Sequence, residues 1–232
     1  MDKNLFLKLF NNIFKIKNIA KTGQLDAIQL LIESGFMKLD NGDMVHNIIL
    51  KATKHGHIDI LHFLISKNVK ISRFHVEYID FASSGGFLDI VQLLHENGNR
   101  CSKNAMDGAA AGGHLMLLRW LHENRTEGCS DQAMDLAANS NHFDFIKWIH
   151  ENRSEGCGKT VMDMAAFHGN IDNVNWLYQN RTEGFSHMAL IYASANVHFD
   201  IFLWLQDKLP EGTSDHQAIK DAYEWYENIY LY

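Results

Sequence analysis

Apolar positions along the chain fall into short stripes of helical spacing, arranged two by two with a tight turn between the members of each pair. The stretch Cys129–Gly156 shows this best. Ala133, Met134, Ala137 and Ala138 mark one stripe, and Phe143, Ile146 and Ile149, with Trp148 beside them, mark the next. Nearly the same text stands at Cys101–Gly128 and at Cys157–Gly184, so the unit recurs every 28 residues. Repetition at such a period is the sequence form of stacked supersecondary units, each too small to bury its apolar face alone. The turn then supplies a ruler: Gly23, Gly56, Gly86, Gly113, Asn141, Gly169 and Val197 hold one place, spaced 33, 30, 27, 28, 28 and 28 residues apart. Seven helix-turn-helix units are expected, all-α throughout. Glycine and asparagine tolerate the left-handed conformation that ends a helix, whereas valine does not, so the turn at Val197 is expected to be strained or reshaped.

Within a unit the first helix is brief. Ser130 is placed to cap it, with Asp131 in its first turn, and Ser102, Ser186 and Ser214 recur as caps. The pairs Ala109/Ala110, Ala137/Ala138 and Ala165/Ala166 let a neighbouring helix approach closely. The second helix opens on an apolar residue and usually an aspartate (Asp26, Asp59, Asp89, Asp144, Asp172, Asp200), a carboxylate that offsets the positive helix end. Trp120, Trp148, Trp176 and Trp204 form a column on the second helices that reads as core between repeats. With one proline and no low-complexity linker, the sequence reads as a single domain over 1–232. Its parts are an N-terminal cap and first helix (1–21), stacked repeats (22–212) and a C-terminal capping helix (213–232).

These features resemble the ankyrin repeat. The shared marks are two short helices, a Gly-His turn at Gly56-His57 and Gly113-His114, the Ala-Ala pair, and a closing Glu-Asn at the end of the second helix. The departures are a central unit about five residues short of the usual one, and Asn104–Asp107, Gln132–Asp135 and Thr160–Asp163 where the Thr-Pro-Leu-His tetrapeptide would stand. The missing length falls in the connection between units, so the resemblance implies an ankyrin-like solenoid with short loops in place of β-hairpin fingers. The wording at Trp120–Cys129 is similar to the short ankyrin units of amoebae and giant DNA viruses.

That resemblance implies a non-enzymatic module binding a protein partner through the concave face, in the viral case a host protein. Its contact positions carry over to the start of each first helix (Lys103, Asp131, Lys159, His187) and to the two residues after the Ala-Ala pair (Ala111 and Gly112, Asn139 and Ser140, Phe167 and His168, Ala195 and Asn196). Phe167 is compatible with a dominant partner contact and equally with local packing under the neighbouring loop. A different role is structural self-association through the aromatic C-terminal cap, which carries Tyr223, Trp225, Tyr226, Tyr230 and Tyr232.

Composition narrows the partner. The net charge of −7 divides into +4 over residues 1–70 (10 Lys/Arg against 6 Asp/Glu) and −11 over residues 71–232 (11 against 22). An acidic body disfavours phosphate-backbone binding, so no nucleic-acid partner is expected. The lysine-rich start reads as a solvated helix face, with contact to RNA or anionic lipid as the other reading. No apolar run approaches the ~18 residues of a membrane span and no cleavage site follows the start, which points to an intracellular, cytoplasmic protein.

Candidate chemistry adds little. Cys101, Cys129 and Cys157 hold one place in three units, about 8–10 Å apart by helix packing, too far for a disulfide or a shared zinc ion. Histidines fall into columns (His95, His122, His150; His57, His114, His142, His198) whose members are a repeat apart, so converging metal ligands, and any cofactor, are not expected. The aspartates Asp80, Asp107, Asp135 and Asp163 form a ladder that does not suit acid–base catalysis. They are expected to accept hydrogen bonds from an adjacent unit, with Arg125, Arg153 and Arg181 as candidate donors. The three Asn-Arg-Thr/Ser sequons are copies of one loop.

Overall fold

The computed structural model describes residues 18–209 apart from 36, 73, 74 and 155. Residues 1–17 of the N-terminal cap and first helix, the cap at 213–232 and the capping role of Ser214 lie outside the described residues. Thirteen helices lie wholly among the described residues, residues 18–21 are helical as well, and no strand is found among them. One compact unit spans 1–129 and a second spans 130–232. The first holds α1 (Leu25–Glu33), α2 (Gly42–His55), α3 (Ile58–Ser66), α4 (Glu77–Ser84), α5 (Leu88–Glu96), α6 (Asn104–Gly112) and α7 (Leu115–Asn124). The second holds α8 (Ala133–Asn139), α9 (Phe143–Asn152), α10 (Thr160–Phe167), α11 (Ile171–Asn180), α12 (His187–Ala195) and α13 (Phe199–Asp207).

Each pair after α1 is a first helix packed on its own second helix. The first helices α2, α4 and α6 stack on one another in the first unit, and α8, α10 and α12 do so in the second. The expected set Ala133, Met134, Ala137 and Ala138 is buried in α8. In α9 the expected Phe143 is replaced in the core by Phe145, which is buried with Ile146 and Ile149. Phe143 begins the helix, at its edge, and instead meets the Trp176 ring edge-on at 5.5 Å. Small residues bring the first helices close: a Cβ on Gly108 of α6 would lie 2.2 Å from the Ser84 Oγ of α4.

The turn ruler is realised as left-handed backbone. Gly169 has φ +76°, and a Cβ there would sit 2.3 Å from the His198 ring of the following turn. Asn141 adopts φ 60°, and Val197 is held at φ 63° as well. A β-branched residue there carries the expected strain.

Two polar devices join successive units. Asp80 of α4 accepts hydrogen bonds from the backbone N of Ser102 at 2.9 Å and from its Oγ at 2.6 Å, while that Oγ accepts from Asn104 N. Asp163 and Ser186 repeat the arrangement at 2.8 and 2.5 Å, and Ser186 Oγ accepts from Met188 N. One serine hydroxyl thus caps its own helix and serves the carboxylate before it. Asp135 meets Gly158 instead, and among the described residues it receives a long 3.4 Å bond from the Gly158 backbone N.

Arg125 and Arg181 go elsewhere than expected. Arg125 chelates Glu127 with Nε and NH2, and its NH1 reaches His95 Nδ1 at 3.1 Å and the Asn99 carbonyl at 3.3 Å. Arg181 pairs in the same way with Glu183 and reaches His150 Nδ1 at 3.3 Å. A planar guanidinium can hold a carboxylate two residues on and still reach back to the previous repeat, which leaves none of its fork for the aspartate. The loop's two glycines, Gly128 and Gly184, close it with φ +73° and +71°.

Candidate functional site

The positions assigned to partner contact project from the helix starts and the turns. Lys103 is exposed before α6, in the first unit, where Gly112 is exposed and Ala111 half-buried. In the second unit Asp131, Asn139, Ser140, Lys159 and His187 are exposed, as is Asn196 beside a half-buried Ala195. Their side chains carry both signs of charge and several amides and hydroxyls. Such a face can make directional polar contacts but raises no strong field of one sign.

Phe167 is the apolar feature of this surface. It ends α10 with 38% of its area exposed. Its ring stands edge-on to His168 at 5.1 Å and to Tyr192 of α12 at 5.5 Å. Local packing fixes its pose while leaving a face open. His168 does something else: its Nε2 reaches the Asn139 carbonyl of the preceding unit at 3.2 Å. Elsewhere that bond comes from the histidine after the turn residue, as with His57 on Lys21 O at 2.8 Å and His198 on Phe167 O at 3.2 Å. Asn170 follows the turn here and caps α11 by accepting from Asn173 N. A histidine two residues earlier therefore takes over the link, and His168 belongs to the frame as well as to the surface.

The histidines and tryptophans of the second helices are joined rather than open. Trp120 stacks edge-on against His95 at 5.2 Å, and Trp176 against His150 at 5.2 Å. Burial pushes the thiol of Cys101 up to about 12 and that of Cys157 up to about 11. Both are protonated, weakly nucleophilic thiols at neutral pH. None of the three cysteines is in a disulfide.

One cluster escaped the column reading. His46 of α2 and His75, just before α4, lie with ring centroids 4.2 Å apart and planes at 32°. His75 Nδ1 is 3.0 Å from Glu77 Oε1, and His46 Nδ1 is 2.6 Å from the buried Tyr78 hydroxyl. Donor atoms of His46, His75 and Glu77 all lie within 4.8 Å of one another. Burial, followed by the neighbouring His75, makes His46 less basic than usual. A cavity of about 440 Å³ lies against His46, His75 and Tyr78 and is also lined by Asp43, Lys67 and Ser72. The ruler hid this cluster because His46 precedes its turn glycine, Gly56, by 10 residues and His75 precedes Gly86 by 11, so they share no column.

Comparison with known proteins follows the same lines. The family described as "Ankyrin repeats (many copies)" matches residues 106–150 and 134–178. No curated protein matches the sequence. Among solved structures, the human ASB11 ankyrin repeat domain is similar with a TM-score of 0.57 and 19% identity, covering 89% of this chain and 96% of that one. At that identity the likeness speaks for the fold. Ankyrin repeats generally serve as non-enzymatic scaffolds for protein–protein interaction. No helix among the described residues is long and apolar enough to cross a membrane. Paired short helices on a left-handed turn, the repeat match and the shared fold give this chain an ankyrin-like fold, with ankyrin repeats at residues 106–178.

Proposed function

We propose that the chain is a protein-interaction module of the cytoplasm, without enzymatic activity, that binds a protein partner through the concave face of one solenoid domain spanning 1–232. The 28-residue register crosses the whole central region of the sequence unbroken, which supports a single domain. The observation that carries the reading is a contrast within the repeats. Aspartate, serine, arginine and turn histidine are spent on the frame, while the neighbouring positions Asp131, Asn139, Ser140, Lys159 and His187 are exposed and differ from unit to unit.

Phe167 supplies the apolar anchor, held by Tyr192 and half open. A rigid aromatic ringed by polar groups is the arrangement in which a few residues carry most of the affinity. Mixed charge on the face and an acidic body favour protein over nucleic acid. The resemblance to the repeats of giant viruses supports a host-cell protein as the partner.

Affinity capture from host-cell lysate, with the native chain beside a Phe167→Asp, Ser140→Arg variant of matched circular dichroism, tests this. A partner held by the native chain and lost by the variant is the expected outcome. Equal capture by both forms removes this face from the reading, and concentration-dependent light scattering without any capture favours self-association.

A further inference from the structure

We propose that His46, His75 and Glu77 form a zinc site that clips the second repeat to the third. Elsewhere His57 and His114 meet a carbonyl of the preceding repeat, and His95 and His150 a guanidinium of the following one. His46 and His75 meet each other, with ring centroids 4.2 Å apart and planes tilted by 32°, and a carboxylate beside them. The 3.0 Å between His75 Nδ1 and Glu77 Oε1 is the separation of two ligands on one zinc ion, since bonds of ~2.0–2.2 Å at tetrahedral or right angles place their atoms about 3.0–3.5 Å apart. His46 completes the set from α2, with its donor inside the 4.8 Å span. Bringing that span to the ~3.5 Å that separates two ligands of one zinc ion takes a side-chain movement of about 1.3 Å.

The surroundings suit a metal ligand. In the tautomer a metal requires, His46 Nδ1–H donates to Tyr78 Oη at 2.6 Å, which fixes the ring and leaves the Nε2 lone pair to coordinate. A hydrogen bond donated by the far ring N–H of a ligating histidine is the usual outer support of such sites. Two imidazoles and one carboxylate are donors of borderline softness, which selects zinc and its neighbours over calcium or magnesium. The adjoining cavity of about 440 Å³ has room for a water as the fourth ligand. His46 belongs to the second repeat and His75 and Glu77 to the third, so one ion joins two first helices. The clip stands where the ruler spacings are 33 and 30 rather than 28.

The full chain, stripped with a chelator and titrated with zinc chloride against a chromophoric competitor, provides the test. One tight equivalent is expected, and zinc at about a hundred times its Kd should raise the melting temperature by roughly 5–10 °C. Tyr78→Phe keeps the ring in place and should weaken zinc about 10- to 100-fold. His75→Ala should abolish the tight equivalent, whereas the exposed His62→Ala should retain it. Glu77→Gln preserves shape and a hydrogen bond to His75, and serves if His75→Ala does not fold. Absence of a tight equivalent overturns the proposal. So does a tight equivalent left unchanged in both Tyr78→Phe and Glu77→Gln, which would place the metal on other histidines.

Discussion

Replacing Gly158 with serine should stabilise the protein, and the magnitude can be worked from two other copies of the junction, Asp80–Ser102 and Asp163–Ser186. In those copies the serine Oγ stands 2.6 or 2.5 Å from the aspartate and accepts a helix N–H at 3.1 Å. At Gly158 the carboxylate of Asp135 has the 3.4 Å backbone bond among the described residues, and burial raises its pKa above the ordinary carboxylate value. A Cβ on Gly158 would lie 3.6 Å from Asp135 Oδ2 and 3.8 Å from Thr160 N, in ordinary contact, so a hydroxyl one bond further reaches both. A hydrogen bond to a charged group contributes about 1.5–3 kcal/mol. Serine in place of glycine at a cap adds a few tenths, and reduced freedom of the unfolded chain adds about 0.4–1 kcal/mol.

Because Gly158 is exposed, the low end applies, and a gain of about 2 kcal/mol is expected. In a chain of this size that raises the melting temperature by roughly 4–8 °C. Urea denaturation of Gly158→Ser, Gly156→Ser and Gly158→Ser/Asp135→Asn separates the contributions. Gly156 has no atom within 4 Å of an added Cβ, so its serine reports the backbone part alone. If Gly158→Ser gains no more than Gly156→Ser, or gains as much in the Asp135→Asn background, the Ser–Asp junction is not a source of stability and the reasoning fails.

Two further predictions concern the frame. Val197→Gly should relieve left-handed strain at a site 41% exposed, stabilising by about 1 kcal/mol and raising the melting temperature by roughly 2–4 °C; a lowered midpoint would show that the valine packs better than its backbone suggests. Arg181→Gln should cost about 1–2 kcal/mol, because Glu183 and His150 lose their shared donor. It should also change the pH profile. Burial opposes the charge of Glu183, but its bonds to Arg181 outweigh that and hold its pKa below the ordinary value. Its contribution is therefore present above the ordinary carboxylate value and lost as pH falls through the depressed one. The native chain should lose stability over that acid window, and Arg181→Gln should lose less; identical acid limbs would count against the pair. Asp80 and Asp135, raised mainly by burial, act in the opposite sense: their contribution is fully present below the ordinary value and lost as pH rises through the raised one.

The register of the repeats was legible because a helical face records its own burial. Ala133, Met134, Ala137 and Ala138 had to face inward at their spacing whatever lay opposite, and the turn glycines marked a backbone state that only a few residue types accept. Val197 could be read as an exception for the same reason. The loop read as a plain copy, yet its Arg and Glu are partners two residues apart. The serine that answers each aspartate was also on the page, as Ser102 and Ser186 at 22 and 23 residues after Asp80 and Asp163. Gly158, the one departure at that place among these three junctions, was the signal that could have found it.

What the sequence determined by itself was local and periodic: seven turn-helix units, their buried faces, their caps and an all-helical fold, since each follows from backbone preference and the removal of apolar surface from water within a few residues. What only the tertiary structure decided was which polar groups meet across repeats. Arg125 turned to Glu127 and His95 rather than to an aspartate, Phe145 displaced Phe143 from the core, and His46 came to rest on His75. Those outcomes depend on distances of a few ångströms between helices that are tens of residues apart in the chain, and on which of several nearby donors offers the better geometry. A repeat period carries no record of either.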